Sequence, residues 1–308
     1  MTLCAFPMFE KSKELPVVQL QLPESIEAGV DLFVLRLDKT DELVSGNKWY
    51  KLKYNLTAAK AQGAKCVLSF GGAYSNHIHA LAWAGRELGV KTIGIIRGEP
   101  AYADNPTLAD AARWGMELVF VSRAEYRRRS ELNYLAELRN VYGDVIIIPE
   151  GGSNALAVKG VAEIITDKMR LDYGLTHVVL PCGTGGTLAG IASSQPCLNI
   201  VGIPVLKGAQ FLVNDIQKLL QDADVRSGDN WLLDFDGHYG GYAKTSPELL
   251  SFISEIKQRY QLPLDQVYTG KMMFRFVEML NEGAFPSGSS VLLVHTGGLQ
   301  GLRSLSCA

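Results

Sequence analysis

Lys65-Cys-Val-Leu-Ser-Phe-Gly-Gly-Ala-Tyr-Ser-Asn-His77 is the stretch on which the fold turns. Lys65 to Phe70 is a short, mostly apolar run with the length of a strand, closed by Gly71-Gly72. Beyond it, Ile78, Leu81, Ala82, Gly85 and Leu88 recur at helical spacing, which predicts a helix over 77–88. Ser75 and Asn76 are residue types that open helices. A helix reached directly from a strand presents unpaired N–H groups, a ready site for an anion. Taken alone, the same turn is also a capped helix with no ligand.

Outward from this stretch, the pattern returns three times. A strand at 144–148 leads into Glu150-Gly-Gly-Ser-Asn154 and a helix at 155–169. A strand at 177–180 leads into Pro181-Cys-Gly-Thr-Gly-Gly-Thr187 and a short helix at 187–193. The last strand, Ser290–His295, leads into Thr296-Gly-Gly298. Further strands are expected at 17–20, 31–37, 92–97, 116–121 and 200–205. Helices are expected at 52–61, 107–114, 127–141, 209–219, 247–258 and 271–282. Short apolar strands alternating with helices predict parallel sheets covered on both faces, an α/β fold of doubly wound open sheets. Two domains are expected, a small one over 54–150 and a large one over 1–53 plus 151–308, with a ligand between them. All four Gly-Gly turns then lie at carboxyl ends of strands, where open sheets bind ligands. The glycine-rich stretch 227–245 reads as a long functional loop, and Met1–Glu14 as peripheral.

Of the 308 residues, 47% are apolar and 20% charged, enough for a sizeable core. A net charge of −2 with interspersed signs gives no reason to expect a nucleic acid or a membrane surface as partner. The densest basic run, Arg123 to Arg129, contains Glu125 and reads as a solvated helix face. The five cysteines, at 4, 66, 182, 197 and 307, form no CxxC pair, and no leader or membrane-length apolar run is evident, so a cytoplasmic protein is expected. The histidines lack zinc spacing, and a serine-hydrolase elbow is missing.

Two stretches carry chemistry. Val44-Ser-Gly-Asn-Lys-Trp-Tyr-Lys-Leu52 places Lys48 between a Gly-Asn turn and a helix start, where a lysine can be fixed and partly desolvated, as a Schiff-base lysine must be. Gly183-Thr-Gly-Gly-Thr187 makes a backbone concavity suited to a phosphate. It has neither the Gly-Lys-Ser/Thr ending of a nucleotide loop nor the GxGxxG spacing. A phosphate without a nucleotide is therefore expected.

These stretches resemble pyridoxal-phosphate (PLP) enzymes of the tryptophan synthase β-like fold. Within them, the chain resembles the D-cysteine desulfhydrase and 1-aminocyclopropane-1-carboxylate deaminase family. The likeness rests on Gly46-Asn-Lys48 with Lys51-Leu52, Gly71-Gly-x-x-Ser-Asn-His77, Gly151-Gly-Ser-Asn154, Gly183-Thr-Gly-Gly-Thr187, Gly241-Tyr242, Val267-Tyr-Thr-Gly-Lys271 and His295-Thr-Gly-Gly298. The resemblance implies pyridoxal 5'-phosphate as cofactor and Lys48 as its Schiff-base lysine and proton carrier. Asn76 would bond the pyridine hydroxyl, and Ser75, Asn76 and His77 would hold the substrate carboxylate. Gly183, Thr184, Gly185, Gly186 and Thr187 would cradle the phosphate. Tyr242 and Tyr268 would flank the reacting carbons, and Thr269 and Thr296 would lie near the pyridine nitrogen. A homodimer is also implied.

Tyr268-Thr-Gly, His295-Thr-Gly-Gly and His77 resemble the desulfhydrases, whereas the deaminases carry Tyr-Glu-Gly, His-Leu-Gly-Gly and Gln. The expected reaction is α,β-elimination from a small amino acid, foremost D-cysteine, to pyruvate, sulfide and ammonia. Alternatives are deamination of 1-aminocyclopropane-1-carboxylate, serine or threonine, or a non-catalytic protein that binds a small anion. Ser45-Gly-Asn-Lys-Trp-Tyr-Lys51 departs from the family's Gly-Gly-Asn-Lys-x-Arg-Lys, and this change flanks the site.

Overall fold

The computed structural model describes residues 15–225 and 228–305. Met1–Glu14, with Cys4, and Cys307 lie outside them. Among the described residues ten strands are present: β1 (Val17–Leu20), β2 (Asp31–Arg36), β3 (Cys66–Gly72), β4 (Lys91–Arg97), β5 (Glu117–Val121), β6 (Val145–Ile148), β7 (His177–Cys182), β8 (Asn199–Pro204), β9 (Trp231–Leu233) and β10 (Ser290–His295). They form a six-stranded sheet, ordered β1-β2-β10-β7-β8-β9, and a four-stranded sheet, ordered β5-β4-β3-β6. All pairings are parallel except β1 with β2 at the edge.

Both sheets are buried on both faces, which is why their central strands are apolar without alternation. In the larger sheet, Val178, Leu180, Leu292 and Val294 face one core, with Val161, Leu188 and Ile216 from covering helices. Val179, Val291 and Leu293 face the other, with Met272, Met273 and Phe276. In the smaller sheet, Val67 and Ile96 pack with Leu52, Leu56 and Ile78 on one side. Leu68, Phe70, Ile93 and Ile95 pack with Tyr126 and Tyr134 on the other. Cys66 and Cys182 are buried in these layers, as small apolar side chains would be.

Several expected elements shift. The helix expected from residue 52 begins at Asn47, so Lys48 stands in its first turn rather than in a preceding loop. This helix, Asn47–Ala61, runs unbroken through the 53/54 boundary drawn from the sequence. Its start packs on the Ala155–Val161 helix, where a Cβ on Gly160 would lie 2.1 Å from the Tyr50 carbonyl. Its later residues Leu52, Leu56 and Ala59 enter the core of the smaller sheet. The helix expected over 127–141 is two, Arg123–Arg127 and Leu132–Tyr142, with a tighter turn at Arg128–Ser130 between them; Ser122 caps the earlier start by accepting from the Glu125 N–H at 3.1 Å. The helix expected over 155–169 stops at Val161, and Thr166 caps a new one, Asp167–Asp172. The stretch read as one long loop contains β9, which extends the larger sheet beside β8. A short helix, Pro23–Glu27, was not anticipated; Pro23 stands at its first position. Among the described residues no helix is long and apolar enough to cross a membrane.

Candidate active site

The turns after β3, β6, β7 and β10 converge on a cavity of about 270 Å³. Its wall includes Lys48, Ser75, Asn76, His77, Gly183, Thr184, Gly185, Thr187, Tyr242, Tyr268 and Thr296. A second hollow of about 870 Å³ adjoins it and shares Gly72, Asn76, Arg97, Tyr242 and Tyr268.

Lys48 is set by the junction between its helix and the turn after β10. Gly46 has φ +73°, and a Cβ there would lie 1.9 Å from the Thr296 carbonyl oxygen. The Asn47 N–H donates to that same oxygen at 3.2 Å. Lys48 Nζ, half-buried, donates to Asn47 Oδ1 at 2.8 Å, and Asn47 Nδ2 donates to Thr187 Oγ1 at 2.8 Å. Burial brings the Lys48 amine down to about 8 from its ordinary 10.5. A useful fraction of it is therefore neutral and nucleophilic near neutral pH.

The turn after β7 supplies a second part of the wall. The helix Gly186–Ser194 begins with no side-chain cap at Gly185, so its first N–H groups are free to face an anion. Lys51, one helical turn from Lys48, is buried and donates to Ser153 Oγ at 2.9 Å and to the Gly151 carbonyl at 3.2 Å. Burial, with the nearby Lys48, pushes its basicity well below normal. Ser153 Oγ and Thr184 Oγ1 are 2.6 Å apart, joining the two glycine turns. Cβ atoms would fill this space: one on Gly186 would lie 2.5 Å from Ser153 Oγ and 3.0 Å from Lys51 Nζ. Gly186 thus closes the cradle from behind, while its four neighbours line it. Asn154, quoted with the same motif, instead caps the Ala155–Val161 helix and pairs with Asn55.

His77 is buried, with Nε2 2.8 Å from Ser69 Oγ. Ser69 also lies 2.7 Å from the Ile148 carbonyl, which can only accept. The hydroxyl proton therefore goes to Ile148, Nε2 donates to Ser69, and Nδ1 is left as a bare acceptor. Nδ1 is the one buried side-chain polar atom among the described residues without a partner. Burial, then Lys48 and Lys51, hold this imidazole neutral. Ser75 caps the Asn76–Leu88 helix by accepting from the Ile78 N–H at 3.3 Å. Asn76 Oδ1 accepts from Gln300 Nε2, leaving the Asn76 amide nitrogen to serve a ligand.

Tyr242 and Tyr268 meet edge to face, 6.1 Å between ring centres. Burial first, then Tyr242, raises the Tyr268 hydroxyl well above its usual range, so it stays protonated. Thr296 lines the cavity, but Thr269 does not. Thr269 is fully buried, and its hydroxyl donates to Asp265 Oδ1 at 2.7 Å. Its part is to start the Thr269–Asn281 helix, not to face a pyridine nitrogen. Asn47, Lys51 and Arg97 also line the cavity and were not singled out from the sequence. The three-residue interval between Lys48 and Lys51 placed both on one helix face and was the available signal.

A partly neutral lysine in one cavity with a glycine-rich helix start suited to a phosphate is what a pyridoxal-phosphate enzyme requires. The chain belongs to that class: the family described as pyridoxal-phosphate dependent enzyme matches residues 14–297. Its relatives place it among the 1-aminocyclopropane-1-carboxylate deaminases and D-cysteine desulfhydrases. A Thermotoga maritima protein with the provisional name 1-aminocyclopropane-1-carboxylate deaminase is 32% identical over 292 residues, 90% of this chain and 92% of that one. The bifunctional D-cysteine desulfhydrase/1-aminocyclopropane-1-carboxylate deaminase, mitochondrial, of Arabidopsis thaliana is 28% identical, covering 93% of this chain and 77% of that one. A crystal structure of a 1-aminocyclopropane-1-carboxylate deaminase homologue superposes with a TM-score of 0.83 at 26% identity over 98% of both chains. The cofactor is pyridoxal 5'-phosphate, and the reading as a non-catalytic anion-binding protein is set aside.

Proposed function

We propose that this enzyme catalyses α,β-elimination from a small amino acid, with D-cysteine as the leading substrate. One water is consumed, and pyruvate, sulfide and ammonia leave. The observation that supports this reading most is Thr296, a hydroxyl-bearing side chain in the cavity wall where the deaminases carry leucine, together with the neutral His77. Thr269, expected to act alongside Thr296, is turned away and lends no support. The relatives' names favour 1-aminocyclopropane-1-carboxylate as the second candidate.

Bound at Lys48, the cofactor supplies an electron sink for the pair left when the α-carbon loses its proton. Lys51, Thr184, Thr187 and the free N–H groups at Gly185 and Gly186 hold the phosphate. Asn76, through its amide nitrogen, meets the pyridine hydroxyl. Ser75, Asn76 and the start of the Asn76–Leu88 helix take the substrate carboxylate; His77, expected to share in this, offers an acceptor at Nδ1 instead and takes a hydrogen bond from a substrate N–H or S–H group. Lys48, freed by the substrate, or Ser75, removes the α-proton. Tyr242 and Tyr268 close over the reacting carbons and keep water from them. We also propose a cytoplasmic homodimer, the state that the resemblance implies.

The test is keto-acid and sulfide release from D-cysteine, L-cysteine and 1-aminocyclopropane-1-carboxylate, with Lys48→Ala as blank. Pyruvate and sulfide from D-cysteine alone support the reading. Ketobutyrate from the cyclopropane substrate, without sulfide from either cysteine, overturns it.

Two further outcomes follow from the cradle and the lysine. Lys51→Met is expected to weaken cofactor binding about 100-fold, the scale of one charge-assisted hydrogen bond of about 1.5–3 kcal/mol. Fluorescence titration of the apoprotein measures it. Because Lys48 sits near 8, its neutral fraction grows about tenfold per pH unit below that value and then levels. Covalent uptake of the cofactor by the apoprotein, followed by absorbance, should rise with pH and flatten above about 8. A rise that continues to the ordinary 10.5 contradicts the buried setting of Lys48.

A further inference from the structure

Lys271 is a buried charge that the chemistry above leaves unused. It lies in the first turn of the Thr269–Asn281 helix and is fully buried. Its Nζ donates to the backbone carbonyls of His238 at 2.8 Å and Gly241 at 2.6 Å. Those two carbonyls also close consecutive turns: His238 O accepts from the Gly241 N–H at 3.0 Å, and Gly241 O accepts from the Lys244 N–H at 3.1 Å. The ammonium therefore grips the accepting carbonyl of two consecutive turns, the second of which contains Tyr242.

This backbone needs such a grip. Tyr239 and Ala243 have φ of +44° and +57°, which side-chain-bearing residues seldom adopt, and Gly240 and Gly241 are also left-handed. Other groups on the same helix face dock the segment. Tyr239 Oη donates to Glu278 at 2.6 Å, and its ring packs 5.1 Å from that of Phe274. The other tyrosine of the pair is held at the start of this helix. Asp265 accepts from the N–H groups of Val267, Tyr268 and Thr269 at 2.8–2.9 Å. One seven-residue turn thus carries a carboxylate that fixes Tyr268 and an ammonium that fixes the loop bearing Tyr242. Both rings stand in the shared wall between the 270 Å³ and 870 Å³ cavities.

We infer that Lys271 is a positioning residue: it holds Tyr242 against Tyr268 in that wall and acts on the reaction only through Tyr242. The inference rests on the proposed role of Tyr242 over the reacting carbons. It is tested on cofactor-loaded Lys271→Met, Lys271→Arg, Tyr242→Phe and Lys271→Met/Tyr242→Phe proteins.

Amide exchange in Lys271→Met should quicken at least about tenfold in peptides spanning 238–244 and stay unchanged in β7 and β10. Its kcat should fall about tenfold, within the ~10²-fold that a misplacement of about 1 Å at an active site can cost, with cofactor affinity retained. Lys271→Arg, which keeps two donors and the charge, should recover part of the loss. The double variant should be no slower than the slower single variant. Unchanged exchange over 238–244, or single losses that multiply in the double variant, overturns the inference. If Lys271→Met does not fold, the exchange pattern and kcat of Lys271→Gln decide in its place. If Tyr242→Phe is as fast as the parent, the role of Tyr242 fails, while the exchange result still decides what Lys271 holds.

Discussion

Lys48→Ala is expected to remove activity by about 10⁴-fold or more while leaving the fold intact. The magnitude follows from two losses at one atom: the covalent tether that fixes the cofactor, and the base that moves the α-proton, which alone is worth about 10²–10⁴. The side chain is half-buried and bonded only to Asn47 Oδ1, so its removal leaves little unsatisfied. Unfolding temperature should change by only a few degrees. The cradle around Lys51 is untouched, so phosphate-bearing cofactor should still bind, without covalent linkage. Absorbance of the loaded protein and turnover of the three substrates check both statements. Residual activity within tenfold of the parent would move the chemistry to another group, with Lys51 the nearest.

Gly46→Ala should have the largest effect on stability. A methyl group there would meet the Thr296 carbonyl oxygen at 1.9 Å and the Gly297 Cα at 2.8 Å, both backbone atoms, at a φ of +73°. Left-handed strain costs about 1–3 kcal/mol, and overpacking against backbone adds a similar amount. A loss of about 3 kcal/mol or more is expected, a fall of roughly 5–10 °C in unfolding temperature for a chain of this size. Cofactor linkage should suffer too, because the same junction aims Lys48. Gly63→Ala is the control: its φ is +69°, but a Cβ there meets nothing within 4 Å. Equal shifts in the two variants would show that the close approach of residue 46 to the turn after β10 is unimportant.

The fold was legible because the central strands of both sheets are parallel and buried, so each announces itself as an apolar run. β3, β7 and β10 are of this kind, and the Gly-Gly turns after them fixed where the site would be. β9 was missed because Trp231-Leu-Leu233, though apolar, is only three residues long and lies half-exposed at a sheet edge. The break at 162–166 was missed because apolar residues continue across it and only the capping Thr166 marks the restart, and the break at 128–130 because the polar run Arg127–Glu131 joins two helices without a capping side chain at the second.

Within the site, residues at strand ends were found from motif spacing, and the cavity brings nearly all of them together. Thr269 was misplaced for a geometric reason. It follows Tyr268 directly, but at a helix start neighbouring side chains diverge, and Asp265, four residues earlier, claims its hydroxyl. Lys51 and Lys271 went unread as working groups because a sequence does not show that a lysine is buried. Their partners are carbonyls and a hydroxyl far along the chain, including Gly151 and His238.

The central claim is that Lys48, and not its neighbour Lys51, carries the cofactor. The most direct measurement is borohydride reduction of the protein loaded with pyridoxal 5'-phosphate, followed by proteolysis and peptide mass mapping. The prediction is a single phosphopyridoxyl group on Lys48, absent from Lys48→Ala. The group on Lys51, or no stable adduct on the Asn47–Ala61 helix, would contradict the account.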